Sequence, residues 1–255
     1  MNHTEELKRR IDLVRQAHID GSEGRVYHRM WASDYLRGAV WGANDGIVTT
    51  FAVVAGVAGA ALAAKVVLIL GFANLLADGF SMAMGNYLGD KSNKEHEASE
   101  RQREAWEVEH LPEGERQEIY NIYRAKGFDG ELLDRIVETI TRDKKLWVDE
   151  MAIAEHGIFP IDNNKARPWK SALVTFIAFV VAGFIPLLPY IVGLPSNQTF
   201  PLALGATILT LFGVGILRTP FTERRWWMVG SETLVVGLLA SGVAYLVGVL
   251  LGNIV

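Results

Sequence analysis

The chain has no cysteine, and that absence removes disulfides, thiolate metal centres and cysteine nucleophiles. Any metal held by side chains must be held by carboxylate, imidazole or thioether. Nucleotide and hydrolase signatures are missing too: there is no GxxxxGK[ST], no GxGxxG opening a helix after a strand, and no Ser-His-Asp arrangement that spacing supports. Proline is scarce, 8 in 255 residues, and none falls between Val66 and His110. The N-terminal stretch up to Gly38 has no apolar core of signal-peptide type and no small-residue cleavage site, so we expect a soluble, partly helical lead-in.

What is present is apolar sequence in blocks. Half of the residues are hydrophobic, and five runs reach membrane length: about Val40 to Ala64, Val66 to Leu88, Ala172 to Val192, Thr199 to Leu217 and Met228 to Leu251. The expectation is an all-α protein with five transmembrane spans. Of the 25 Lys and Arg, only Lys65 lies on the side holding the first hairpin turn, the loop between spans three and four, and the C-terminus. By the positive-inside tendency the N-terminus and the segment between spans two and three are cytoplasmic and the C-terminus is outside. This divides the chain into a cytoplasmic N-terminal segment (1–36), a hairpin of spans one and two (37–89), a cytoplasmic helical insert (90–168) and spans three to five (169–255).

Val66 to His110 organises the rest. It starts as a membrane segment and runs without proline into KSNKEHEASERQREAWEVEH. As one helix, about 45 residues at ~1.5 Å each reach roughly 65 Å, about twice the ~30 Å hydrocarbon core, so half of it must stand in water. We read it as an arm between an ion pathway and an ion-collecting head. In the membrane half, Asn74, Asp78 and Met82 fall at i, i+4, i+8 and share one stripe, an amide, a carboxylate and a thioether in a column. Oxygen donors alone suit Mg or Ca, and a thioether tilts the preference towards softer first-row ions. A methionine by itself is more often a core filler, as Met84 is expected to be.

In the first span, Gly38, Gly42 and Gly46 form a small-xxx-small row, continued loosely by Gly56 and Gly59. It reads either as a dimer or helix-pair seam or as the ordinary glycine content of membrane helices. Asp45 lies in this row. A carboxylate in a span costs roughly 2.5–3.5 kcal/mol on insertion scales, so it is expected to face protein or water and act on an ion. The bland alternative is an interfacial residue bonded to Asn44, Thr49 or Thr50.

From Asp90 to Asp162 there are 19 acidic and 11 basic residues. Three helices fit: the continued arm, a second from Pro112 to Gly127, and a third from Asp129 to Gly157 with a narrow apolar stripe of Leu133, Ile136, Val137 and Ile140. The stripe is too thin for a self-sufficient core, so the insert is expected to lean on a partner copy, the arm or bound ions. Glu104 and Glu107, Glu115 and Glu118, and Met151 and Glu155 are pairs at i, i+3 or i, i+4, each presenting two donors on one face. Singly, most such glutamates are solvated surface. Facing one another, they need a cation to offset their repulsion. Further on, Pro186 and Pro189 should bend the end of the third span, and Glu232 belongs to a relay or pairs with Arg224 or Arg225.

The succession DGIVTTFAVVAG, ADGFSMAMGNYL, a glutamate-rich insert ending WVDEMAIAEHG, then GFIPLLPY resembles the vacuolar iron transporter family and its bacterial relatives, from roughly Leu36 to Val255. The resemblance implies a five-span homodimer in a lipid bilayer that moves Fe(II), and often Mn(II) or related ions such as Co(II) and Zn(II), out of the cytosol against protons. It implies no prosthetic group, no enzyme activity and no nucleic-acid partner. It assigns Asp45 and Met82 to the translocation path, and Glu104, Glu107, Glu115, Glu118, Met151 and Glu155 to metal binding in the insert. Asn74 stands where relatives can carry a glutamate and cannot titrate; Asp78, one turn on, is the residue placed to take over. The bilayer expected is a bacterial inner membrane, with a vacuolar membrane as the alternative. The rival classes are a membrane-anchored ferritin-like ferroxidase and a metal sensor. Di-iron bundles of the first kind need two Glu-x-x-His motifs, and this chain has only Glu107 to His110.

Overall fold

The computed structural model describes residues 3–19, 30–159, 167–219, 222, 224–252 and 254, and among these there is no strand. The helices are α1 (His3–Ile19), α2 (Met30–Gly59), α3 (Ala64–His110), α4 (Pro112–Ala125), α5 (Gly130–Arg142), α6 (Lys144–His156), α7 (Pro168–Phe184), α8 (Leu188–Ile191), α9 (Ser196–Leu217) and α10 (Trp226–Gly252). Among the described residues, five stretches are long and apolar enough to cross a membrane: Tyr35–Gly59, Ala64–His110, Pro168–Ile191, Asn197–Leu217 and Trp226–Gly252. The lead-in is helical as α1, with Leu7 and Ile11 exposed. The chain forms two compact units, residues 1–87 with 166–255, and residues 88–165, and the unbroken 47-residue α3 belongs to both.

The membrane unit is assembled around α2, against which α7, α10 and α9 pack. The glycine row explains how. A Cβ on Gly42 or Gly46 would run into the backbone carbonyls of Thr175 and Phe179 on α7, and one on Gly38 would come within 2.6 Å of the Thr175 hydroxyl. Gly183 of α7 answers from the other side, its missing Cβ position lying 2.5 Å from the Gly46 carbonyl. Farther along, Gly56 meets Gly248, and Gly59 meets the Tyr245 carbonyl of α10. The row is therefore a helix-pair seam within one chain. In lipid such contact replaces the hydrophobic drive that water would supply.

The apolar part of α3 packs through a narrower strip: Val67, Gly71, Leu75, Gly79 and Ala83 are buried at a four-residue period, while Ile69, Leu76, Phe80 and Met84 are exposed. Asn86 ends the strip by donating to Ser171 Oγ and Thr175 Oγ1 of α7, each at 3.0 Å. The prolines act as expected. The third span leaves α-geometry at Phe184, passes through a 3-10 turn at Ile185–Leu187 and resumes as the short α8.

The second unit contains the polar end of α3 with α4, α5 and α6. The single third helix expected from Asp129 to Gly157 is two helices, broken at Asp143. There the backbone is extended (φ −110, ψ 109), and the carboxylate accepts from Lys145 N–H at 2.9 Å and Leu146 N–H at 3.2 Å. That N-cap satisfies donors a new helix start would otherwise leave open. α6 ends at Gly157, whose φ of +67 few other residues adopt; Ile158 N–H then reaches back to the Ala152 carbonyl at 2.9 Å. The apolar stripe does not stand alone. Leu133, Val137 and Ile140 bury with Ile119 of α4, Trp147 and Met151 of α6, and Val108 of α3 in one cluster. At about 1.5–3 kcal/mol for each large side chain, this burial is the term that can hold an acidic unit closed.

Candidate metal-binding site

Glu104 and Glu115 are the only buried ionisable side chains among the described residues, 1% and 5% exposed. Val108 draws the inner face of α3 into the core, and Glu104, one turn before it, goes in with it. Glu115 is carried inward in the same way, one turn before Ile119 on α4. Glu107 lies beside them. One carboxylate oxygen from each of Glu104, Glu107 and Glu115 falls within 4.8 Å of the others. Glu155 and His156, at the end of α6, form a second such group with Glu104.

Electrostatics set this cluster apart from the acids around it. Asp149 is bonded by Arg101, Glu150 by Tyr123 at 2.8 Å and Lys126 at 3.5 Å, and Glu109 by Lys144 at 2.6 Å, which holds the Glu109 carboxyl below its ordinary range. Inside the cluster, Arg103 donates to Glu107 at 3.0 Å, while Glu104 Oε2 and Glu115 Oε2 have no partner. Burial, and then the charges of Glu118, Glu104, Glu107 and Glu155, push the Glu115 carboxyl up to about 7. A hydrogen bond to Glu155 likewise raises Glu118. A divalent cation bound among these carboxylates would offset their mutual repulsion, use the open buried oxygens and displace the proton that burial favours on Glu115.

The structure thus brings Glu104, Glu107 and Glu115 together and ties Glu118 to Glu155. Met151 is fully buried in the apolar cluster, one turn before Glu155. Two residues escaped the sequence reading. His156 Nε2 lies 3.0 Å from Glu104 Oε1 and 3.6 Å from Glu100 Oε2. The signal for Glu100 was present, because Glu100, Glu104 and Glu107 repeat at i, i+4, i+7. For His156 there was none, since nothing in a sequence says which face of α6 meets α3. The lone Glu-x-x-His motif ends elsewhere: His110 Nδ1 is bonded to the Trp106 carbonyl at 2.8 Å and its ring stacks on Trp106.

In the membrane unit, Asp45 is half-buried on α2, and Asp78 lies on α3. Asn74 and Met82 are partly buried and Asp78 is exposed, flanked by Leu76 and Phe80. The bland reading of Asp45 gains nothing from Thr49, whose hydroxyl donates to the Asp45 backbone carbonyl at 2.8 Å rather than to the carboxylate. Asn74 Nδ2 and Thr50 Oγ1 are buried without partners. Glu232 pairs with Arg224 at 3.2 Å.

Five apolar helices and an acidic helical head describe a multi-pass membrane protein. Comparison with known proteins gives the family. A profile of the VIT family matches residues 36–249. The chain is 36% identical over 253 residues to a vacuolar iron transporter of Toxoplasma gondii, covering 96% of this chain and 82% of that one. It is 32% identical to one of Plasmodium falciparum (86% and 83% covered) and 32% identical to vacuolar iron transporter 1 of Arabidopsis thaliana (84% and 85%). The chain belongs to the VIT family, a family of transporters and not of enzymes.

Proposed function

We propose that this protein carries divalent iron, and with it Mn(II), out of the cytosol across a bacterial inner membrane in exchange for protons, as a homodimer. The named relatives support iron as the cargo. The observation that carries the reading is the buried cluster: donors of Glu104, Glu107 and Glu115 within 4.8 Å, with two carboxylate oxygens lacking partners. Glu118, Glu155 and the thioether of Met151 complete the proposed ligand set, and the head gathers the ion as its carboxyls release protons.

The ion then enters a path holding Asp45, Asn74, Asp78 and Met82. Asp78 is exposed on the face of α3 that also carries Asn74 and Met82, where lipid would disfavour a carboxylate; that exposure supports a homodimer in which a second copy covers the face. Asn74 cannot titrate, so Asp78 takes the proton-coupled role. The loop distribution of Lys and Arg supports a cytosolic head and an external C-terminus.

The test is Fe(II) flux into proteoliposomes under an imposed pH gradient, with Mn, Co and Zn as competitors. Asp45→Ala should abolish flux while dimers persist; wild-type flux in that variant removes Asp45 from the path. Flux indifferent to the pH gradient removes the proton exchange.

A further inference from the structure

The carboxylate trio does not account for His156. We propose that His156, with Glu104 and Glu155 and with Glu100 at its edge, forms a second, nitrogen-containing subsite for a first-row divalent cation, adjoining the Glu104, Glu107 and Glu115 subsite and sharing Glu104 with it. The inference rests on the reading that the head binds metal, and it adds a donor and a selectivity that carboxylates alone do not provide.

Three observations carry it. The donors of Glu104, Glu155 and His156 fall within 4.8 Å of one another, as those of the carboxylate trio do, and Glu104 is the member common to both. The Glu104 side chain is 2% exposed, with Oε1 facing His156 Nε2 at 3.0 Å and Oε2 unpartnered. A carboxylate so placed can bridge two ions, each oxygen serving one. The imidazole is 29% exposed, which leaves it an approach from solvent. Sites of oxygen donors alone suit Mg, Ca and Mn, whereas imidazole suits Fe, Zn, Cu and Ni. His156 thereby biases the second subsite towards transition ions and against Mg(II). Its alternative role is that of an imidazolium counter-charge to Glu104 and Glu100, which would repel a cation instead of binding one.

The two roles separate by spectroscopy on the untagged full-length protein in detergent, loaded with Mn(II) as the probe and titrated against Mg(II). Pulsed electron paramagnetic resonance should show a nitrogen coupling on bound Mn(II). In His156→Gln that coupling should vanish, one equivalent of Mn(II) should be lost, and the remaining equivalent should be displaced more easily by Mg(II). Glu115→Gln should weaken the other equivalent and keep the nitrogen coupling. Bound Mn(II) without nitrogen coupling, or an unchanged titration in His156→Gln while Glu115→Gln loses metal, overturns the second subsite and leaves the carboxylate site standing. Metal binding insensitive to both variants overturns the head as a binding site and this inference with it.

Discussion

The two units solve opposite packing problems. In the membrane unit, glycines on α2 let the carbonyls of α7 and α10 sit where side chains would be, because lipid tails provide no hydrophobic drive between helices. In the head, the drive is burial of Ile119, Leu133, Trp147, Met151 and their neighbours, and a glycine such as Gly114 on α4 has nothing within 4 Å of its missing Cβ. The same word in the sequence therefore has two meanings. Carboxylates differ likewise: the head gathers several within 4.8 Å of one another, while the spans hold Asp45 and Asp78 on separate helices.

The contrast breaks most visibly at Gly46. Gly46→Val should cost more than about 3 kcal/mol, because the obstacle is the Phe179 backbone and neither helix can yield. The expected outcome is loss of monodisperse protein on size-exclusion chromatography; a well-behaved variant would refute the seam. Next in size is the pH response of the head. The folded Glu115 carboxyl binds its proton up to about 7, against 4.5 ordinarily, so between these values the folded state holds more protons than the unfolded one. Its contribution to stability is therefore fully present below about 4.5 and is lost as pH rises towards 7. Metal-free protein should lose protection of head amides across that window, Mn(II) should restore it at the upper end, and Glu115→Gln should flatten the slope. A rise with pH in the metal-free protein would contradict the sign.

Smaller effects sharpen the comparison within the head. Asp143→Ala removes the cap of α6 and should cost ~1 kcal/mol, read as roughly fivefold faster hydrogen exchange at Lys145 and Leu146. Unchanged exchange would mean the break between α5 and α6 does not depend on the cap. Gly114→Ala meets no obstacle and should raise stability by about 0.5–1 kcal/mol in a denaturant melt, the reverse of Gly46→Val. A loss at Gly114 would erase the distinction between the two kinds of glycine.

Much of this architecture was legible beforehand. The five spans follow from runs of apolar residues, the bend of the third from Pro186 and Pro189, and the long α3 from a proline-free interval. The break at Asp143 was not, because the apolar spacing continues across it and a capping aspartate inside a periodic run looks like any charged surface residue. Nor was the partner of the glycine row: Gly38, Gly42 and Gly46 announce close approach but do not say to what, and the answer is α7 of the same chain.

By itself the sequence determined where the helices lie apart from the break at Asp143, which of them suit lipid, and which donor types share a face, since these depend on residues three and four positions apart on one element. Only the tertiary structure decided that Glu104 is buried and faces His156 from 52 positions away, and that one oxygen each of Glu104 and Glu115 is buried without a partner. Those outcomes depend on which helix faces the apolar core draws together. That is a property of packing between elements, which no local spacing encodes.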